Sequence, residues 1–388
     1  MPKFVTLFPP AQNIHIAKDV GMIPCLMARE QGFDSTLVCF SRSEDMPYLT
    51  ELAKPLKIHS IAQNAGYHVY RWPAQEVIRY LLCNAKSIDV LHMFHLNRET
   101  IIQSLVYKLL NNKGVVYIKL DYSSYCVGDE RKCVLTNLNN YFKYLFRVLF
   151  IRLIPNLMTI ETSTAYEYFI KAYPSSAQKL KIMPNGIDTY FLERNNFKRC
   201  YCKKENLIIS VGRIGSYEKN SEMLLTSISM LDIKDWYFAF IGPIDIEFRN
   251  KLALLLLRMP ELKDRIILTG NIESRVELYS WYARAKVFCL TSRRESFSLA
   301  MIDALYFGCY IVTTPVDSAA DITGNGSLGS IVRSDTELCE VLHKIIVNEI
   351  DTEDKMHNIY EHSRKFCWSS ICSDLASWLG HFLQRQVV

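Results

Sequence analysis

Short β-rich runs alternate with helical stretches along the whole chain, and the alternation begins a second time after residue 188. In the first series KFVTLF (3–8), STLVCF (35–40), DVLHMF (89–94), GVVYIK (114–119) and LMTIE (157–161) read as strands. In the second, NLIISV (206–211), WYFAFI (236–241), RIILT (265–269), VFCL (287–290) and YIVT (310–313) do so. Apolar strands of four to eight residues separated by helices imply parallel sheets covered on both faces. The turn formers of MPNGID (183–188) separate the series, with a boundary expected near 185–200. The fold class is therefore α/β: two doubly wound, Rossmann-like domains facing a central cleft, with ligands expected beyond the carboxyl ends of the strands. With 388 residues, 49% of them hydrophobic, the chain has material for two cores.

No apolar run reaches the length of a membrane span, and MPKFVTLFPP lacks a signal-peptide layout, so a cytoplasmic location is expected. Most of the twelve cysteines are scattered through apolar segments and read as reduced core thiols; Cys200 and Cys202 form the one close pair, which is poor zinc spacing. Residues 1–190 carry 21 Lys and Arg against 15 Asp and Glu, and the remainder carries 24 against 25. A basic first half fits an anionic partner or an ordinary solvated surface, and no basic-aromatic ladder points to nucleic acid.

Two stretches suggest chemistry. In SRRESFSLAMIDAL (292–305), Glu295 falls in a strand-to-helix loop; the helix is expected to start near Ser296–Ser298 and to stop at Gly308. Asp303, eight residues on, would lie about 12 Å along the same helical face. The open N–H groups of residues 296–299 form a potential anion site. Two acids flanking a helix are also a common solvated surface. In NLIISVGRIGSYEKN (206–220), a strand ends at Gly212 and is followed by Arg213 and Lys219, which could clamp a diphosphate. The alternative is two surface cations, with Lys219 paired to Glu218 or Glu222.

Together these segments resemble the donor-binding half of the family 4 glycosyltransferases, which have the GT-B fold. VGRI followed by Lys219, FIG (240–242), LTGNI (268–272), VFCLTSRRESFSLAMIDAL (287–305) and GCYIVTT (308–314) occur in family order over roughly 180–335, and PNGID (184–188) is similar to the family's interdomain segment. FCWSSI (366–371) resembles the stretch leading into a last helix. The resemblance implies an N-terminal acceptor-side domain (1–188), a nucleotide-sugar donor domain (189–365) and a C-terminal helix (366–388) packed back on the first. It also implies a retaining glycosyltransferase that moves a sugar from a nucleotide sugar, expected to be a UDP-sugar, to a hydroxyl of a saccharide acceptor, free or lipid-linked, in surface polysaccharide synthesis. Arg213 and Lys219 would hold the diphosphate, and Glu295, the first acid of the E-x7-E pattern, the sugar hydroxyls. Asp303, in place of the second glutamate, would contact the ribose. Phe297, Ser298 and Leu299 would offer backbone N–H groups, and Ile272 would lie beside the base. Ser296 and Ser298 replace glycines common in the family. No metal or other cofactor is expected. A non-catalytic nucleotide-sugar binder and a sugar phosphorylase on the same fold are the alternatives.

The first half departs more from the family. Its first loop, PPAQNIHIAKDVG, puts His15 and Lys18 in reach of the expected cleft, with Asp19 as a helix N-cap ahead of a helical stretch over 23–31. Where many relatives carry a histidine after the strand, this chain has Lys119-Leu120-Asp121. Asp121 or Lys119 would take the catalytic-side position, and His95 is a further acceptor-side candidate; each also has a purely structural reading. YFKYLFRVLFIRLI (141–154) has the composition either of a core helix with a cationic edge or of a helix lying in a membrane interface. The second reading would place the protein peripherally on the inner face of the membrane.

Overall fold

A computed structural model describes residues 1–52, 56–63, 75–126, 138–197 and 204–384. The chain divides into two compact units, Met1–Phe191 with Cys367–Val388, and Leu192–Phe366. The first is built on a parallel sheet of β1 (Lys3–Leu7), β2 (Asp34–Cys39), β3 (Lys57–Ser60), β4 (Val90–Phe94), β5 (Val115–Leu120), β6 (Leu157–Ile160) and β7 (Leu180–Ile182), in the order β3-β2-β1-β4-β5-β6-β7. The second has β8 (Glu205–Val211), β9 (Tyr237–Ile241), β10 (Ile266–Gly270), β11 (Ala285–Leu290), β12 (Tyr310–Thr313) and β13 (Gly329–Ile331), in the order β10-β9-β8-β11-β12-β13.

Helices on both faces explain the continuous apolar runs. Strands β4, β5 and β6 are buried at every residue. Three strands were not legible in the sequence: β3 (KIHS), β7 (LKI) and β13 (GSI). All three are short, partly exposed edge strands, so they lack the apolar run that identifies an inner strand. Each sheet has one topological switch point, between β1 and β4 in the first unit and between β8 and β11 in the second. There the connections diverge to opposite sides and leave a crevice beyond the carboxyl ends.

The first loop is more ordered than expected. Asn13–Ile16 forms one helical turn, and the next helix starts at Asp19 and runs to Arg29 with Pro24 inside it. Lys18 occupies the N-cap position expected for Asp19, and Asp19 is the first helical residue, accepting a hydrogen bond from the Val20 N–H. The C-terminal helix Trp368–Gln384 packs against Asp19–Arg29 within the first unit. Among the described residues five cysteines are buried free thiols, but Cys83 and Cys126 are exposed, because amphipathic or loop segments carry them outward. Cys200 and Cys202 lie outside the described residues. The helix Leu138–Leu153 covers residues 141–153 of the 141–154 segment.

Candidate active site

In the second unit the two loops singled out by sequence flank the switch point: 212–220 follows β8 and 291–298 follows β11. Gly212 and Gly242, which follow the adjacent strands β8 and β9, approach so closely that a Cβ at 242 would lie 2.0 Å from the Gly212 carbonyl oxygen. The loop then bends through Ser216, whose carbonyl accepts from the Lys219 and Asn220 N–H groups. Lys219 does not pair with Glu218 or Glu222. Its ammonium donates to both carboxylate oxygens of Glu295, at 3.0 and 2.7 Å, and the Ser292 hydroxyl donates to the same carboxylate at 3.0 Å. The acids near in sequence have other partners: Arg213 lies 3.8 Å from Glu218, and Lys251 3.2 Å from Glu222. Arg213 projects into solvent with 70% of its side chain exposed.

The helix after this loop spans Leu299–Tyr306, with Ser298 as its N-cap, and Gly308 follows in the left-handed region at φ 72°. Ser298 spends its side chain on the Met301 N–H, and its own N–H is 3.4 Å from the Ser318 hydroxyl. Phe297 is buried beside Phe366, so its side chain is core and only its backbone is available to a ligand. Thr314, from the segment after β12, donates to the Ser292 carbonyl and fixes the loop from the other side. Asp303 is half-buried on that helix. Burial raises its carboxyl to about 7, against the opposing pull of Arg275 and a hydrogen bond from Tyr279. Arg275 and Tyr279 come from the helix Arg275–Arg284, one turn apart, and bond to each other at 2.9 Å. Ile272 is half-buried in the loop after β10.

In the first unit, a cavity of about 490 Å³ opens at the carboxyl ends of β1, β4 and β5, beside the switch point. Phe8, Phe94, His95, Asn97, Glu99 and Asp121 are among its lining residues. His95 reaches the wall through a left-handed backbone, φ 58°, and is tied by its N–H to the Lys119 carbonyl at 2.9 Å. Asp121 is exposed at the end of β5. His15 instead accepts from the Gln12 N–H at 2.9 Å and meets the Phe8 ring edge-on at 5.4 Å. Burial, then Lys18, lowers its pKa, which favours the neutral ring. Lys18 is half-buried at the helix start.

Lys119 does not line this cavity. Its side chain is fully enclosed and lies 3.0 Å from Asp19 and 2.7 Å from Glu161, and Glu161 also accepts from Asn185 at 2.7 Å. An isolated buried ammonium would be too costly, and the two carboxylates compensate it. Burial alone would lower the Lys119 pKa, but Glu161 and then Asp19 outweigh it and hold it above the usual lysine range. Burial raises Glu161 to about 7, with Lys119 opposing. Sequence reasoning missed Asp19, Glu161 and Asn185 as a cluster, and also Ser292, Arg275 and Tyr279, since none carries a local signal of its partner. Among the described residues, no group of three or more His, Cys, Asp or Glu is placed to hold a metal ion, and no helix is long and apolar enough to cross a membrane.

Comparison with known proteins matches residues 193–366 to the family described as Glycosyl transferases group 1. One similar sequence, 27% identical over 52% of each chain, is GalNAc-alpha-(1->4)-GalNAc-alpha-(1->3)-diNAcBac-PP-undecaprenol alpha-1,4-N-acetyl-D-galactosaminyltransferase of Campylobacter jejuni. The chain spans about half to two thirds of the length of the curated relatives it matches. Among solved structures, a glycosyltransferase of Rickettsia africae aligns with TM-score 0.72 at 13% identity over 98% of both chains. HepE of Anabaena, in complex with UDP, aligns with TM-score 0.68 at 13% identity over 98% of this chain and 100% of that one. Residues 193–366 thus match the model of the glycosyl transferases group 1, and the two parallel-sheet units have the GT-B fold of the aligned glycosyltransferase structures.

Proposed function

We propose that the protein is a retaining family 4 glycosyltransferase that moves a sugar from a UDP-sugar to a hydroxyl of a lipid-linked saccharide in surface polysaccharide synthesis. The observation that carries this reading is the Lys219–Glu295 pair at the β8/β11 switch point, a cation and an acid side by side in the loops ahead of the next helices. Lys219 and Arg213 neutralise the diphosphate, aided by the backbone N–H groups around 297–299, and Glu295 accepts hydrogen bonds from the transferred sugar. Asp303 faces the ribose and Ile272 the base. The bond from the anomeric carbon to the phosphate oxygen breaks as the acceptor oxygen bonds to that carbon on the same face. The acceptor's proton passes to the departing phosphate oxygen, so no separate base is required, and Asp121 orients the acceptor hydroxyl from the cavity wall of the first unit.

The UDP complex of HepE supports the choice of nucleotide, and the undecaprenol-linked substrate in the name of the Campylobacter jejuni relative supports the choice of acceptor. A membrane-bound acceptor also gives a role to the helix Leu138–Leu153. Tyr141, Phe142, Leu145, Phe146, Leu149 and Leu153 are exposed on it, with Lys143 and Arg152 exposed among them. That combination suits a peripheral seat on anionic lipid.

A thermal-shift screen of UDP-, GDP-, ADP- and dTDP-sugars tests the donor, because a ligand that binds the folded state raises its melting temperature. UDP-sugars are expected to stabilise the protein most. Transfer to a lipid-linked saccharide should disappear in Glu295→Ala. Binding without transfer across a broad acceptor panel would leave only a nucleotide-sugar binder, and phosphate-dependent activity without nucleotide would indicate a phosphorylase.

A further inference from the structure

Two loops must hold a common register if Lys219 and Glu295 are to act on one ligand, and a side chain outside the motif residues spans them. Arg293 stands two residues before Glu295. Its backbone N–H donates to the Glu218 carbonyl at 2.8 Å, and its guanidinium donates to the Tyr217 carbonyl at 2.5 Å. The same guanidinium lies over the Tyr217 ring, 4.5 Å from its centroid, although that tyrosine is 74% exposed. Thr291 adds bonds from its hydroxyl to the Lys219 and Asn220 carbonyls at 3.1 and 2.9 Å. On its other side the 212–220 loop is tied by backbone bonds at Ile214 to Pro243 and Asp245, after β9. The loop is thus pinned at both shoulders, with Tyr217 between them.

We infer that Arg293 is a positioning residue for the donor site: with Tyr217 it clamps the 212–220 loop to the 291–298 loop and sets where Lys219 projects beside Glu295. The inference rests on the reading of Lys219 and Glu295 as donor-binding groups. The guanidinium acts here by shape more than by charge. One edge is used on a carbonyl and one face on an aromatic ring, a combination that the planar, fixed fork of a guanidinium holds in one geometry and the rotating lysine ammonium does not. The Tyr217 carbonyl taken by the guanidinium and the Glu218 carbonyl taken by the Arg293 N–H immediately precede Lys219, so losing the side-chain half of the clamp frees the loop two residues before the ammonium. Small displacements of a binding group are costly because its geometry is prepaid by the fold.

The test compares Arg293→Ala, Arg293→Lys and Tyr217→Ala with the wild type, using UDP as the probe in calorimetry and amide exchange on the free protein. Arg293→Ala should weaken UDP by about tenfold, the scale of one misplaced charge-assisted hydrogen bond. It should raise KM for the donor more than it lowers kcat. Tyr217→Ala should follow it, and Arg293→Lys should recover no more than about twofold. The Lys219 and Asn220 amides, which bond to the Ser216 carbonyl, should exchange at least about threefold faster in Arg293→Ala. Full recovery by lysine would show that charge alone matters and would overturn the clamp. So would unchanged exchange at those amides, whatever ligand the site takes. A wild-type protein that binds no nucleoside diphosphate while Arg293→Ala still loosens the loop would instead overturn the donor reading, and with it the role assigned to Arg293.

Discussion

Glu295→Gln separates two effects of one carboxylate. Without ligand, Lys219 gives its ammonium to both Glu295 oxygens, and the two side chains are 20% and 19% exposed. Largely buried but still reached by solvent, the pair takes the upper end of the range for surface pairs, roughly 1 kcal/mol or about fivefold in an equilibrium constant. A diphosphate must draw Lys219 out of that pair and then lie close to a carboxylate left without its cation. The glutamine variant removes both penalties while keeping nearly the same shape. UDP should therefore bind about two- to fivefold more tightly to Glu295→Gln than to the wild type. A UDP-sugar should behave in the opposite way, because its sugar hydroxyls lose a charged acceptor worth about 1.5–3 kcal/mol. After the offset from the freed lysine, a net weakening of roughly tenfold is expected. Calorimetry with UDP and with a non-transferable UDP-sugar analogue reads both effects, and the gain for UDP should shrink as salt screens the site. If the variant weakens UDP, or shifts both ligands by the same factor in the same direction, the proposed exchange of Lys219 between Glu295 and phosphate is wrong.

Lys119→Met leaves Asp19 and Glu161 buried without their cation and should cost about 3–5 kcal/mol near pH 8 by thermal or denaturant unfolding. Glu161 is already raised to about 7, and losing the lysine raises it further, so stability is retained at low pH and lost as pH rises through 7; a deficit that is small or flat between pH 5 and pH 8 would refute the buried-pair account. Asp121→Asn should leave UDP affinity within about twofold while lowering transfer by roughly 10- to 100-fold, and an equal loss of donor binding would count against an acceptor role. Phe142→Glu together with Phe146→Glu should abolish sedimentation with anionic vesicles without changing UDP affinity, and retained vesicle binding would dismiss the helix Leu138–Leu153 as the membrane face. With its carboxyl raised to about 7, Asp303 protonates as pH falls, so uridine affinity should drop from pH 8 to pH 6 in the wild type and stay level in Asp303→Asn; a level wild-type profile would argue against ribose contact.

Local pattern was enough to recover the inner strands and the two loops that carry Lys219 and Glu295. The strand ends at Val211 and Leu290 are marked by apolar runs that stop at Gly212 and Thr291, and the helix from Leu299 to Tyr306 announces itself by Ser298 before it and Gly308 after it. Such signals depend on neighbours a few residues away, so one chain displays them without its fold. The edge strands β3, β7 and β13 carry no comparable run, because a sheet edge buries little. Side-chain partners were out of reach for a different reason. Lys219 has acids at 218 and 222, yet it pairs with Glu295, 76 residues on, because β8 and β11 lie side by side in the sheet. Lys119 looked like a strand-end cation, but the start of one helix brings Asp19 and the end of β6 brings Glu161 to enclose it. What the amino-acid order determined was where the chain extends, coils and turns; which charges meet, and which are shut away from solvent, was decided by the order in which the strands assemble, since Coulomb attraction and desolvation act across space and not along the chain.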